Sequence, residues 1–112
     1  MAFRHYALTL TGVAQRLSDV LDDGVGVINP TNDVPLREII LAADPANTAV
    51  VYVGGTNATV SATSHAFSLD PTQASQAPVR LGGYDGCGPL HLADFFAVGT
   101  NNERLMIGVV PY

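Results

Sequence analysis

Asp85, Cys87, His91 and Asp94 are the residue types from which a nucleophilic site is assembled: a thiol, an imidazole to take its proton, and carboxylates to orient the imidazole. Closeness in the chain does not supply that geometry, because such groups are ordinarily brought together from distant segments. Cys87 also sits in Gly82-Gly83-Tyr84-Asp85-Gly86-Cys87-Gly88-Pro89, where a small residue suits a tight loop, so no catalytic role is expected. The same glycines would suit a phosphate cradle, but the chain has no lysine and no helix is expected after them. His5, His65 and His91 are far apart, no Cys/His spacing matches a zinc site, and the aspartates lack the alternating pattern of a calcium loop. No metal and no cofactor is expected. Asn57-Ala58-Thr59 matches a glycosylation sequon, which without a secretory route is only a loop tripeptide.

With so little to support chemistry, the balance of residues carries more. A chain of 112 residues is expected to form a single domain over 1–112 and to bury roughly two-thirds of its unfolded surface without help from metal or disulfide. Its single cysteine cannot form an internal bridge. The opening residues MAFRHYALTL lack the pattern of a signal peptide, and no apolar run approaches the roughly 18 residues of a membrane span. Synthesis in the cytoplasm and no membrane association are therefore expected. Only 13% of residues are charged, against about 25% in ordinary globular chains. A net charge of −5, with arginine the only strong base, argues against nucleic acid, whose phosphates require a basic face. A surface poor in charge, and in lysine above all, is typical of proteins covered by a partner. Tyr52, Tyr84, Phe95, Phe96 and Tyr112 are the large aromatics most able to anchor such a contact.

The elements that must position these residues are mainly strands. Tyr6, Leu8 and Leu10 share one face at period two, predicting a first strand over 3–10. Val13, Leu17, Val20 and Leu21 fall at helical spacing, predicting one or two turns capped by Thr11 and ended by Gly24, with at most one short helix near 13–22. Gly24 to Pro35 reads as loop, with a short extended piece at Val25 to Ile28. Arg37 to Gly55 (REIILAADPANTAVVYVGG) is expected to be a β-hairpin, its strands Ile39–Ala43 and Ala49–Val53 joined by Asp44-Pro45-Ala46-Asn47-Thr48. Phe67–Leu69 and Pro78–Leu81 are short strand candidates. Leu92–Val98 and Arg104–Val110 are expected to form a second hairpin around Gly99-Thr100-Asn101-Asn102-Glu103.

Both expected hairpins are apolar on two faces, whereas a half-exposed strand should have one polar face. Val51 and Val53 oppose Val50 and Tyr52, and Leu105, Ile107 and Val109 oppose Met106 and Val110. Phe95 and Phe96 are adjacent, so if one enters the core the other must point away. Short strands punctuated by turns predict an all-β chain, an antiparallel β-sandwich of jelly-roll type. The second apolar face must be covered either by loops of the same chain or by another subunit. A chain this short has little material for the first, so a homo-oligomer is expected, a trimer in preference to a dimer, with Val50, Tyr52, Tyr84, Phe95, Phe96, Met106 and Tyr112 as interface candidates.

The run Ala43-Asp44-Pro45-Ala46-Asn47-Thr48-Ala49-Val50-Val51-Tyr52-Val53-Gly54-Gly55 resembles a pattern in small β-sandwich virion proteins of tailed bacteriophages. In those, a strand, an ADPGN-like turn and a VYVGG-like strand are followed by a serine/threonine-rich loop and a leucine-proline step. Val60-Ser61-Ala62-Thr63 and Leu69-Asp70-Pro71 match the later part, and the closing aliphatic stretch from Asp94 to Val110 is similar too. The matching pieces cover about half of the chain, mainly after Arg37, and the Gly82 to Pro89 loop lies outside the pattern. The resemblance implies a non-enzymatic structural component: a capsid decoration (cement) protein made in the host cytoplasm and bound to the major capsid protein on the outer surface of the virion head. The alternative within that class is a tail or head-to-tail accessory or fibre-associated protein. A further alternative is a carbohydrate-binding β-sandwich module for host recognition, against which stand the absence of tryptophan and an aromatic content of 7%.

Overall fold

Alternation of apolar and polar residues is the strongest local signal in the chain, and the strands follow it. The computed structural model describes residues 3–21, 34–72, 78–83 and 88–112. Its strands are β1 (Arg4–Thr9), β2 (Gln15–Arg16), β3 (Leu36–Ala43), β4 (Val51–Gly54), β5 (Phe67–Leu69), β6 (Val79–Gly82), β7 (Phe96–Val98) and β8 (Arg104–Pro111). One four-residue helix, α1 (Leu17–Val20), follows β2, and a single 3-10 turn, Leu92–Asp94, precedes β7. The first strand, the short strands around 67–69 and 78–81, and the brief helix are where the periodicity places them.

The pairing is nested. β1 lies against β8, β2 against β7, β3 against β6 and β4 against β5, all antiparallel. Two further pairings, β3 with β8 and β4 with β7, roll that long ribbon into two four-stranded sheets. The first has the order β1-β8-β3-β6 and the second β2-β7-β4-β5. Four nested pairs closed in this way make a jelly roll, the two-sheet β-sandwich expected from the sequence.

Neither expected hairpin exists. The strands over 39–43 and 51–53 are present, but β3 belongs to the first sheet and β4 to the second. The segment between them is an arch that crosses the sandwich, and β7 and β8 are related by a second arch of the same kind. The reason lies in the inward rows. Ile39 and Leu41 of β3 are fully buried, as are Val51 and Val53 of β4, and the two rows face each other across the core. Alternation specifies that a strand has a buried face; it does not say whether the next strand shares that face or opposes it.

Leu8, Ile39, Leu41, Leu105, Ile107 and Val109 fill the core from the first sheet, and Val51, Val53, Leu69 and Ala97 from the second. Leu36 at the start of β3 and Leu10, Leu17, Leu21 and Leu92 from the connections join the same cluster. Burying each aliphatic side chain contributes roughly 1.5–3 kcal/mol relative to leaving it in water. The helix is shorter than its apolar spacing suggests because Gln15 and Arg16 pair with Ala97 and Phe96 as strand. Arg16 is therefore its N-cap, not Thr11, and Val13 stands outside it, 67% exposed. Asp22, Asp23, Gly24 and the extended piece expected at Val25 to Ile28 lie outside the described residues.

The two arches lie side by side and are stapled together by the Asp44-Pro45-Ala46-Asn47-Thr48 segment. Buried Asn47 acts as a surrogate peptide group: its Nδ2 donates to the Arg104 carbonyl at 2.7 Å and its Oδ1 accepts from the Arg104 N–H at 2.9 Å. The Glu103 carboxylate accepts the N–H groups of Thr48 at 2.6 Å and Ala49 at 2.8 Å. Asp44 accepts from the Ala46 N–H at 3.0 Å, forming an Asx turn, and pairs with Arg104 Nε at 2.8 Å. These contacts satisfy backbone groups that an arch, unlike a hairpin, cannot pair within its own strands.

Candidate functional site

The inner face of the second sheet is complete, so attention falls on its outer face. Val51, Val53 and Ala97 point into the core, and the alternate residues Tyr52, Phe96 and Val98 must therefore point out. Tyr52 sits opposite Val98 on one side and Ser68 on the other, at the centre of the sheet. Phe96 sits opposite Arg16 and Gly54, and the Arg16 guanidinium lies 5.1 Å from its ring centroid. That distance allows a cation–π contact between the exposed arginine and the ring.

Connections rise around this row and make it a groove of about 1250 Å³. Val13, Val50, Tyr52, Phe96 and Val98 are the larger apolar residues exposed or half-buried along it. Thr56, Thr59, Ser61 and Thr100 place hydroxyl-bearing residues around it. His65 packs beside Tyr52: its ring lies 4.7 Å from the phenol ring, tilted by 47°. His65 Nδ1 is 3.0 Å from the Ser61 carbonyl, and because a carbonyl only accepts, Nδ1 carries the proton. The imidazole, fixed by that bond, packs beside the phenol ring.

Three of the expected interface residues, Val50, Tyr52 and Phe96, come together here, and Val50 and Tyr52 are only half-buried. Phe95 packs against the core, so the adjacent phenylalanines divide as strand geometry requires. Met106 lies on the outer face of the other sheet, 36% exposed. Tyr112 follows the end of β8, 48% exposed, with the Arg37 guanidinium 5.5 Å from its ring centroid. Tyr84, Asp85 and Cys87 lie outside the described residues. Val13, Val98 and the hydroxyl residues of 56–61 were not foreseen as part of a site. The only signal for them was the small, polar composition of 56–66.

The outer face of the first sheet carries a second, shallower apolar patch. Phe3 is 58% exposed and lies flat across Gly108, where a β-carbon would come within 2.7 Å of its ring. Ile40, Met106 and Ala7 continue the patch in neighbouring strands. At its margin Arg80 Nε donates to the buried Glu38 carboxylate at 2.7 Å.

Among the described residues no three of the histidines, cysteines and acids gather as metal ligands would. Aliphatic groups, aromatic rings and hydroxyls dominate the groove, a surface that binds by burial and neutral hydrogen bonds. No family model, curated protein or solved structure matches the chain.

Proposed function

We propose that the chain is a virion structural protein of a tailed bacteriophage, a decoration (cement) protein that binds the outside of the head and ties major capsid subunits together across their joints. The observation that carries this reading is the division of labour in the second sheet. Val51, Val53 and Ala97 complete the core, while Val50, Tyr52 and Phe96 hold apolar surface that the core does not use. Such surface gains most when a partner covers it, at about 25 cal/mol per Å² before association costs. The resemblance of Ala43 to Gly55, and of the later matching pieces, to phage β-sandwich virion proteins supplies the kind of partner. A cement role needs buried area and no reaction, and its effect accumulates over many copies. The acidic, lysine-free composition suits a protein that must assemble beside a genome without adhering to it.

Imaging the intact particle tests this directly. The expected result is density on the outer head surface with a copy number that scales with the major capsid protein. A handful of copies at the neck or tail would replace the cement reading with that of a tail or head-to-tail accessory protein. The rings of Tyr52 and Phe96 beside four hydroxyl-bearing residues also favour a second reading, a carbohydrate-binding module for host recognition. A glycan array silent at high protein concentration would remove it. Cys87→Ser is expected to leave particle binding unchanged, and loss of an activity in that variant would overturn the non-enzymatic reading.

A further inference from the structure

We propose that two copies of the chain join edge to edge through β1, in antiparallel pairing about a two-fold axis at Ala7. This deepens the oligomer part of the reading above by naming the surface, and it selects the dimer over the trimer.

β1 is an outer strand of the first sheet, and the phase of its hydrogen bonds can be read from its end. Leu10 N–H donates to the Glu103 carbonyl at 2.7 Å, and the Leu10 carbonyl accepts from the Asn102 N–H at 2.9 Å. Leu10 therefore turns its backbone toward β8, and by alternation so do Leu8, Tyr6 and Arg4. His5, Ala7 and Thr9 turn theirs the other way, toward the open edge. All three are exposed, and among the described residues none has a hydrogen bond on that side.

Sheet edges of this kind are ordinarily blunted by proline, lysine, a bulge or a very short strand. β1 has none of these: its six residues pair with β8 in unbroken register, and RHYALT contains neither proline nor lysine. The other outer strands of the two sheets are shorter: β2 has two residues, β5 three and β6 four.

Self-pairing centred on Ala7 is complementary in detail. It sets His5 opposite Thr9 of the second copy, Ala7 opposite its own image, and Thr9 opposite the image of His5. All three positions are hydrogen-bonded pairs. The smallest side chain of the strand then occupies the axis, and each Arg4 faces the image of Leu10, away from the other Arg4. Because the axis is perpendicular to the sheet, both outer faces emerge on one side. The Phe3, Ile40 and Met106 patches of the two copies then form one broad apolar surface on a continuous sheet. Edge pairing alone buries little area, so a dissociation constant of about 10 µM to 1 mM is expected.

Sedimentation of the purified protein from about 1 µM to 1 mM, without virions, separates this inference from the cement reading. The mass is expected to rise from that of the 11.7 kDa monomer toward twice that value. Ala7→Lys, which sets two ammonium groups side by side at the axis on an exposed position, should weaken self-association at least about tenfold and leave the melting temperature unchanged. In the unsubstituted protein, the amides of His5, Ala7 and Thr9 should exchange with deuterium about tenfold more slowly where the dimer forms than in dilute solution. A monomer at every concentration, a trimer as the only assembly, undiminished pairing in Ala7→Lys, or exchange at those three amides that ignores concentration would each overturn the proposal.

Discussion

Replacing Asn47 by alanine should be among the most damaging single changes available outside the aliphatic core. The side chain is buried and spans the two arches with two hydrogen bonds, at 2.7 and 2.9 Å, both to the backbone of Arg104. Each such bond contributes about 1 kcal/mol net, and leaving the partly buried Arg104 N–H without its acceptor adds a desolvation cost of about 1 kcal/mol, while the Arg104 carbonyl keeps the Asp44 N–H at 3.2 Å. The expected loss is therefore about 3 kcal/mol, a large share of the 5–15 kcal/mol that stabilises an ordinary domain. In a domain of this size that corresponds to a fall of about 15 °C in Tm. Urea unfolding followed by circular dichroism measures it, with the slope against denaturant unchanged because the exposed surface is the same in both chains. Asn101→Ala, an exposed change in the neighbouring arch, is the control and should lie within about 0.5 kcal/mol of the parent. A loss below about 1 kcal/mol for Asn47→Ala would refute the idea that this amide replaces a missing strand pairing.

Three further outcomes follow from the same geometry. The Ala46 N–H and then the Arg104 guanidinium hold the Asp44 carboxyl below its ordinary value of 3.8, against the opposing effect of burial. Its stabilising contribution is therefore complete above that value and disappears as pH falls through the depressed one. The Tm difference between the parent and Asp44→Asn should be constant from pH 7 to about pH 4 and narrow below it, and a gap unchanged down to pH 2 would exclude this role. Gly99→Ala and Gly108→Ala should separate sharply. A β-carbon at Gly99 would lie 2.5 Å from Cδ1 of fully buried Leu10, costing about 1–3 kcal/mol in a thermal melt, whereas at Gly108 it meets the exposed Phe3 ring, which can swing aside. Gln15→Met should raise stability by about 1 kcal/mol by chemical denaturation, because Gln15 Oε1 is buried with no hydrogen-bond partner among the described residues.

How much of this was legible in the sequence depends on the range of the interaction. Tyr6, Leu8 and Leu10 declare a strand locally, because side-chain direction repeats every second residue. Leu105, Ile107 and Val109 do the same. What alternation cannot carry is the identity of the partner. Val51 and Val53 look the same whether their strand pairs with β3 beside it or faces β3 across a core. The decisive contacts, from Asn47 and Glu103, join residues more than fifty positions apart. The site was legible in part for the same reason. Val50 and Tyr52 stood out as apolar residues on a second face, and Phe96 as the neighbour of a core phenylalanine. Thr56, Thr59 and Ser61 carried no such mark, because a polar loop residue reads alike whether it lines a groove or faces open water.

The nested pairing also has a consequence for synthesis. β8 is the central partner in the first sheet, bonded on one side to β1 and on the other to β3, and it is translated after every other described strand. Until it emerges from the ribosome, β1 lacks the one strand it pairs with among the described residues. The inner pairs, β4 with β5 and β3 with β6, can form earlier, so folding is expected to proceed from the middle of the nested pairs outward and to be complete only once β8 is free to pair. Contacts between the two ends of a chain place such a fold in the slow, millisecond-to-second range. A nascent chain with an unpartnered β1 is the species most prone to cross-pairing. Crowded expression, more than heat, is therefore the condition under which this protein should aggregate.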